Sequence, residues 1–132
     1  MNSSNNTFSK EWRLKRRSEI EELFKNGRII HSPSFKIVSL PNGISHNRAV
    51  IAVPKRSFKK AVDRNYIKRL VREGLRHSPI FKEEGEGYNL FIIYRGVSLP
   101  TLESIKIEVE NGLEKSIKRD RQNFDSTATT AN

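Results

Sequence analysis

The sequence predicts an α+β domain, a small two-layer sandwich in which helices pack on a roughly four-stranded sheet. Three segments carry apolar residues at three- and four-residue steps, as amphipathic helices do. Short apolar runs lie between these segments and predict strands. A chain of 132 residues has room for one domain with one core. The predicted element order is αβββαβα, with the helices laid on the sheet.

The two ends of the chain are predicted to be disordered extensions. Residues 1–10 and 121–132 are polar and rich in Ser, Thr and Asn. Segments of this composition bury too little apolar surface to offset the entropy of ordering. The segment between them, 11–120, contains no repeat and no internal linker, so it is expected to form a single domain.

The first predicted helix begins near Ser18. Ser18 is followed three residues later by Glu21, which is the spacing of a capping box. Its apolar stripe consists of Ile20, Leu23 and Phe24. Gly27 is expected to end the helix in a left-handed conformation, which glycine adopts without steric cost.

The strands are predicted from short apolar runs. Residues 35–40 and 49–53 flank 41–47, whose composition is typical of a loop, so these two strands are expected to form an antiparallel pair. Residues 88–94 are nearly continuously apolar, which predicts a strand buried inside the sheet. A last helix is predicted over about 101–120, with cations gathered in its final turn.

The positive charge of the chain is concentrated in its first 80 residues. They hold 18 Lys and Arg against 6 Asp and Glu, whereas residues 81–132 hold 7 against 9. The whole chain carries a formal net charge of +10 at pH 7. This asymmetry indicates a surface for a polyanion, although charge alone does not distinguish nucleic acid from an anionic membrane.

The sequence predicts a cytoplasmic protein with no membrane partner. It contains no cysteine, which excludes disulfides and thiolate metal sites. Its polar N-terminus lacks the apolar segment of a secretory signal. No apolar run approaches the roughly 18–20 residues needed to span a bilayer.

The strongest functional signal is the cationic helix predicted at 59–76, which holds seven Lys or Arg and two acids. On a helical wheel the apolar residues, Val62 and Tyr66 among them, occupy one side. Five cations share the other side, and neither Asp63 nor Glu73 lies in that arc. The predicted binding face consists of Arg64, Asn65, Lys68, Arg69, Arg72 and Arg76.

This face is interpreted as an RNA-binding surface, and the alternative is an ordinary solvated face. Solvated faces usually mix both signs of charge, because like charges four residues apart repel one another. A membrane-surface helix would need its apolar side for lipid, and here that side has to cover the sheet. Arginine favours phosphate, and no helix-turn-helix pair precedes the helix, so RNA is favoured over DNA.

Residues 53–73 read VPKRSFKKAVDRNYIKRLVRE and closely resemble the signature of the bacterial ribonuclease P protein component. Supporting similarity lies in 13–15, Phe24, Gly27 and 88–95. The resemblance covers about residues 13 to 120 and implies a left-handed βαβ crossover. It also implies a protein subunit that binds ribonuclease P RNA, with one protein per RNA, and the single-stranded 5′ leader of precursor tRNA. No cofactor is expected on a protein motif, and Mg²⁺ is expected to be held mainly by the RNA.

The resemblance implies two further RNA-binding regions. The basic segment before the cationic helix consists of Lys55, Arg56, Lys59 and Lys60. A cleft between the first helix and the sheet would hold the leader through aromatic and cationic side chains. Its candidates are Arg13, Lys15, Phe24, Phe35 and Lys36. Phe24 fits the core stripe of the first helix equally well.

Two positions depart from the family pattern. Tyr66 stands where the family has the second arginine of Arg-Asn-Arg, and Ile20 where it often has an aromatic residue. No catalytic residue is predicted, since Asp63 and Glu73 are isolated and the histidines lack metal-ligand spacing. The protein alone is therefore expected to be inactive. The alternatives are a ribosomal or other structural RNA-binding protein and, more distantly, a protein-only nuclease.

Overall fold

The computed structural model describes residues 8–118. The helices and strands, in chain order, are α1 (Arg17–Asn26), β1 (Arg28–His31), β2 (Phe35–Pro41), β3 (Arg48–Ala52), α2 (Ala61–Arg76), α3 (Pro79–Lys82), β4 (Tyr88–Tyr94) and α4 (Leu102–Leu113). A 3₁₀ turn, Lys10–Trp12, precedes α1. A π-helical turn, Glu114–Lys118, continues α4. The predicted order αβββαβα is found, with the short helix α3 added.

The four strands form one sheet in the order β1-β2-β4-β3. β4 pairs with β2 in antiparallel and with β3 in parallel orientation, so the prediction that 35–40 and 49–53 pair with each other is wrong. β4 takes the place between them because both of its faces are apolar, as predicted for a strand inside the sheet. The loop after β2 bonds instead to the residues before β4, with Asn42 N–H donating to the Gly87 carbonyl at 3.0 Å.

Strands β3 and β4 lie side by side and run in the same direction, so the chain between them has to pass over one face of the sheet in a crossover connection. Helix α2 lies in that crossover and packs on the sheet. The left-handed sense of the crossover stays a prediction.

The main core lies between the sheet and the helices α2 and α4. Its fully buried side chains include Phe35, Ile37, Ile67, Leu75, Leu90, Ile92, Ile105 and Leu113. A smaller cluster on the opposite face of the sheet consists of Leu14, Leu23 and Val38, with Ile20, Leu40, Val50 and Phe91 packed against it. Helix α1 therefore covers part of the second face, and the two-layer sandwich carries one additional helix.

The ends of α1 differ from both sequence predictions. The helix begins at Arg17 with Arg16 as its N-cap and no side-chain capping bond, so Ser18 lies inside the helix and forms no capping box. Gly27 has φ −74° and ψ 155°, which is extended and not left-handed. A side chain at Gly27 would collide with the Leu23 carbonyl oxygen and with Val38 Cγ1. Glycine is therefore required here for the close approach of α1 to β2.

The folded domain extends further toward the N-terminus than the composition predicts. Phe8 is 6% exposed, and its ring lies 5.3 Å from that of Trp12 and 5.7 Å from that of Phe81. Residues 8–10 therefore belong to the domain, whereas the rest of the predicted extensions, 1–7 and 121–132, lies outside the described residues.

The helix predicted over about 101–120 is found as α4 followed by a π-helical turn to Lys118, and its last two residues, 119–120, lie outside the described residues. α4 ends at Leu113 with no basic residue in its last turn, and the π-helical turn that follows keeps Ile117 in the core. Thr101 caps α4 by accepting a hydrogen bond from Ser104 N–H. Within residues 8–118, no helix has the length and apolar character required to cross a bilayer.

Candidate nucleic-acid interface

Helix α2 lies on the sheet through a narrow apolar stripe. Ile67, Leu70, Val71 and Leu75 are buried, and the helix packs closely against α4 at Gly74. Val62, which the wheel places on the apolar side, is 69% exposed, so that prediction is wrong. The buried stripe is therefore narrower than the wheel predicts.

The solvent side of α2 carries the predicted cations. Asn65 and Arg69 are exposed, and Lys68 and Arg72 are partly exposed. Among the residues that the structure describes, no acid forms an ion pair with Lys68, Arg69 or Arg72. These three cations therefore present positive charge with which no acid within residues 8–118 pairs. We call Lys68, Arg69 and Arg72 the cationic face.

Arg76 differs from the cationic face because an acid of the same helix pairs with it. Its Nε and Nη2 donate to the Glu73 carboxylate at 3.1 and 3.0 Å. The hydrogen bond from Arg76 is the main reason that the pKa of Glu73 lies below its ordinary value. The expectation that neither acid reaches the predicted face is therefore wrong. Residues three apart are neighbours on a helix, and long side chains cross the boundary drawn by the wheel.

Arg72 has another cation beside it. Its pKa is lowered first by burial and second by the positive charge of Arg13. Arg13 lies alongside β3 through a bridge to Ala49, and its guanidinium donates to the Phe8 carbonyl. The N-terminal segment thus brings Arg13 next to the cationic face.

The basic segment between β3 and α2 is open to solvent. Lys55, Arg56, Lys59 and Lys60 are all exposed. Arg64, the first cation of α2, turns back toward this segment. Its Nη1 donates to the carbonyl oxygens of Phe58 at 2.8 Å and Lys59 at 2.9 Å. The helical wheel predicts Arg64 as part of the RNA-binding face, whereas the structure shows its guanidinium hydrogen-bonded to backbone carbonyls.

A second candidate surface lies on the sheet beside α1. Lys36 lies opposite Ile93, and Ile93 opposite Ala52, so the three form one row across the sheet. Two residues along the strands, the same face carries Phe91, which packs under α1. Phe24 of α1 is 57% exposed, and its ring lies 4.9 Å from that of Phe91. The result is an open floor bordered by two aromatic rings and a lysine.

Phe35 does not belong to this surface. It is 1% exposed and packs against Tyr94 on the opposite face of the sheet, because it is adjacent to Lys36 in an alternating strand. A buried ring has no access to a base, so Phe35 is removed from the leader-cleft candidates. Lys15 is exposed in the segment before α1, and Arg13 is close enough for its charge to lower the pKa of Arg72.

Phe91 borders this candidate surface and is absent from the residues predicted from the sequence. It occurs in a continuous apolar run, and such a run does not show which residues face a partly covered side of the sheet. Strand alternation from Leu90 and Ile92 would have placed Phe91 on the opposite face from the main core. Within residues 8–118, no group of three or more His, Cys, Asp or Glu could hold a metal ion.

A family model described as ribonuclease P matches residues 8–117 of the chain. The chain belongs to the ribonuclease P family. The ribonuclease P protein component of Aliivibrio fischeri is 42% identical over 73 residues, which cover 55% of this chain and 62% of that protein. That of Vibrio parahaemolyticus is 41% identical over 71 residues, covering 54% and 60%. The aligned region thus spans about three fifths of these relatives.

Solved structures of ribonuclease P proteins share the fold. The protein from Thermotoga maritima matches with a TM-score of 0.68 at 25% identity, covering 78% of this chain and 96% of that chain. A mutant of the Staphylococcus aureus protein matches with a TM-score of 0.71 at 25% identity, covering 86% and 95%. The α+β fold expected from the sequence is therefore confirmed.

Tyr66, which the resemblance places where the family signature has an arginine, has the surroundings of a packing residue. The ring is partly buried against the main core, and its hydroxyl donates to the Pro100 carbonyl at 3.4 Å. The guanidinium carbon of Arg69 lies 5.7 Å from the centre of the ring. Tyr66 thus joins α2 to the segment before α4 and supports Arg69 by a cation–π contact.

Proposed function

We propose that this protein is the protein subunit of a cytoplasmic ribonuclease P ribonucleoprotein. It binds one catalytic RNA through the cationic face and the basic segment before α2. The holoenzyme removes the 5′ leader of precursor tRNA by endonucleolytic cleavage. The observation that carries the proposal is the cationic face, whose three cations have no acid partner within residues 8–118, on a chain of this family.

The electrostatics of α2 suit a phosphate backbone. Lys68, Arg69 and Arg72 lie on one side of a helix that is rigidly packed on the sheet, so their spacing is set before RNA binds. The helix fixes the spacing of the Cα atoms that carry these cations, and the guanidinium fork of arginine matches phosphate oxygens in pairs. Each phosphate neutralised releases counterions, which adds to affinity at low salt.

The open floor beside α1 suits a single-stranded leader. Phe24 presents an exposed ring for stacking, and Lys36 supplies a cation on the same face of the sheet. Stacking on aromatic rings contributes about 1–3 kcal/mol per base with little sequence preference. In this proposal the protein contributes binding, and the catalytic Mg²⁺ is held mainly by the RNA partner.

The test is a cleavage assay with precursor tRNA and a bacterial ribonuclease P RNA transcribed in vitro, at low Mg²⁺. Addition of the protein is expected to increase site-specific removal of the leader, and the protein without RNA is expected to cleave nothing. Binding to the RNA without any increase in cleavage would instead indicate a structural RNA-binding protein. Cleavage by the RNA-free protein would indicate a protein-only nuclease.

The leader surface is tested with a matched pair of variants. Phe24→Ala is expected to weaken binding of precursor tRNA to the holoenzyme and to leave binding of leaderless tRNA unchanged. Ile107→Ala, an apolar residue equally exposed on α4, is the control and is expected to change neither. Equal effects of Phe24→Ala on both tRNAs would contradict a leader contact.

A further inference from the structure

The guanidinium of Arg64, a cation of α2, is bonded to the protein backbone before its own helix. One nitrogen, Nη1, donates to the carbonyl oxygens of Phe58 at 2.8 Å and Lys59 at 2.9 Å. Within the described part of the chain, the side chains of Lys68, Arg69 and Arg72 form no such bond to a carbonyl. Arg64 therefore differs in its contacts from the cations with which the wheel groups it.

The position of Arg64 in the helix explains where its side chain goes. Helical side chains point toward the N-terminus, and Arg64 lies in the first turn of α2, so its guanidinium reaches past the helix start. A cation in the first turn is disfavoured by the helix dipole. Two charge-assisted bonds to carbonyl oxygens offset that cost. The N-cap residue, Lys60, supplies no side-chain capping bond of its own.

The two carbonyls belong to the peptide units on either side of Lys59. The preceding turn is already held, since Phe58 is 7% exposed with its ring 5.9 Å from that of Tyr94, and Phe58 N–H donates to the Pro54 carbonyl. Lys59 and Lys60 lie between that turn and the first turn of α2, with both side chains exposed. The bonds from Arg64 therefore set the backbone orientation from which these two lysines project.

We propose that Arg64 is a positioning residue that holds Lys59 and Lys60 in place to bind RNA phosphates and does not itself bind RNA. This inference rests on the proposed function, since it assumes that the basic segment contacts RNA. It assigns the first arginine of the helix a different role from that of the cationic face.

The experiment is a double-mutant cycle in RNA affinity, using the full chain and a ribonuclease P RNA transcribed in vitro. Arg64→Met keeps the aliphatic length and removes the guanidinium, and Lys59→Ala/Lys60→Ala removes the two cations that it positions. Arg69→Met is the matched control, because it deletes the same charge from an exposed position on the same helix. A thermal melt of each variant selects an assay temperature at which all of them are folded.

The lysine double variant is expected to bind about tenfold more weakly than the starting protein, and Arg64→Met about fivefold more weakly. In the lysine-free background, Arg64→Met is expected to change affinity by less than about twofold, whereas Arg69→Met costs the same factor in both backgrounds. Equal losses from Arg64→Met in both backgrounds would overturn the positioning role, because a direct contact or a loss of fold acts independently of the lysines. No loss from the lysine double variant would instead refute the RNA-binding role of the basic segment.

Discussion

Helices α2 and α4 pack side by side on the same face of the sheet, and their solvent sides differ. α2 presents the cationic face, Lys68, Arg69 and Arg72. The outer side of α4 mixes Lys106 with Glu103 and Glu110, and Ile107 stands exposed among them. The comparison shows that apolar periodicity determines which side of a helix is buried and leaves the outer side free to carry a function.

The two helices also use charge differently within the protein. On α4, the Glu108 carboxylate accepts hydrogen bonds from Ser34 N–H and from the Ser32 hydroxyl, and so joins the helix to the turn between β1 and β2. On α2, Arg64 bonds to the carbonyls before the helix. In both helices a charged side chain that the sequence places on the surface supports the fold, and only α2 keeps several cations without an acid partner among the described residues.

The largest effect is expected on the free energy of unfolding, from the buried leucines that the two helices have in common. Leu75 on α2 and Leu113 on α4 are both fully buried. Leu75→Ala and Leu113→Ala are each expected to lower the free energy of unfolding by about 2–5 kcal/mol, through lost burial and the cavity that remains. Urea denaturation measures both changes. Ile107→Ala is the exposed control, and a comparable loss there would contradict the assigned buried sides.

The second-largest expected effect is on RNA affinity, and it distinguishes the solvent side of α2 from that of α4. Arg72→Ala is expected to weaken binding of ribonuclease P RNA by about 1–2 kcal/mol and to reduce the log–log salt slope by about 0.7–0.9. Stability is expected to stay the same or rise slightly, because burial and the charge of Arg13 both disfavour the protonated guanidinium.

Lys106→Ala on α4 is the matched control for Arg72→Ala. It removes one cation from a side that also carries acids, so affinity and salt slope are expected to remain nearly unchanged. Filter binding over a range of salt concentrations measures both variants. Equal loss of affinity in the two would show that the RNA responds to total charge and would eliminate the cationic face as a distinct site.

A smaller effect is expected from the structural acid of α4. Glu108→Ala leaves Ser34 N–H and the Ser32 hydroxyl without their acceptor, and is expected to lower stability by about 1 kcal/mol. RNA affinity is expected to stay unchanged, because this contact lies on α4. Glu103→Ala, on an exposed site of the same helix, is the control for removing a negative charge. A gain in RNA affinity from Glu108→Ala alone would indicate that RNA also approaches α4.

The smallest effect concerns pH. Glu73 has a lowered pKa in the folded protein, chiefly because Arg76 donates hydrogen bonds to it. A lowered carboxyl pKa contributes stability above the ordinary glutamate value of about 4.3, and that contribution is lost as pH falls through the lower folded value. Glu73→Gln is therefore expected to reduce the loss of melting temperature between pH 5 and 3. An unchanged pH profile would show that the pair contributes nothing to stability.

Much of the functional surface follows from local pattern. The positions of Lys68, Arg69 and Arg72 opposite a buried stripe are determined by the helical period, and a period is a property of neighbouring residues. The central position of β4 follows from its continuous apolar run for the same reason. The family resemblance also rests on contiguous residues, 53–73, and the match of the family model to 8–117 confirms it.

The tertiary structure decided the features that depend on residues far apart in the chain. β2 and β3 each pair with β4 and not with each other. Their nearness in sequence does not determine this pairing, because a strand pairs with whichever neighbour fits best in the whole sheet. Phe24 is exposed because α1 covers only part of the sheet, whereas Phe35 is buried because β2 turns it toward α2 and α4. The hydrogen bonds of Arg64 to the carbonyls before α2, and the effect of the Arg13 charge on the pKa of Arg72, depend on where flexible side chains end in space. The sequence by itself thus determined which residues are cationic and which side of each helix is apolar. Only the folded arrangement decided which cations bond to the protein itself and which have no acid partner within residues 8–118, because that depends on distances between separate elements.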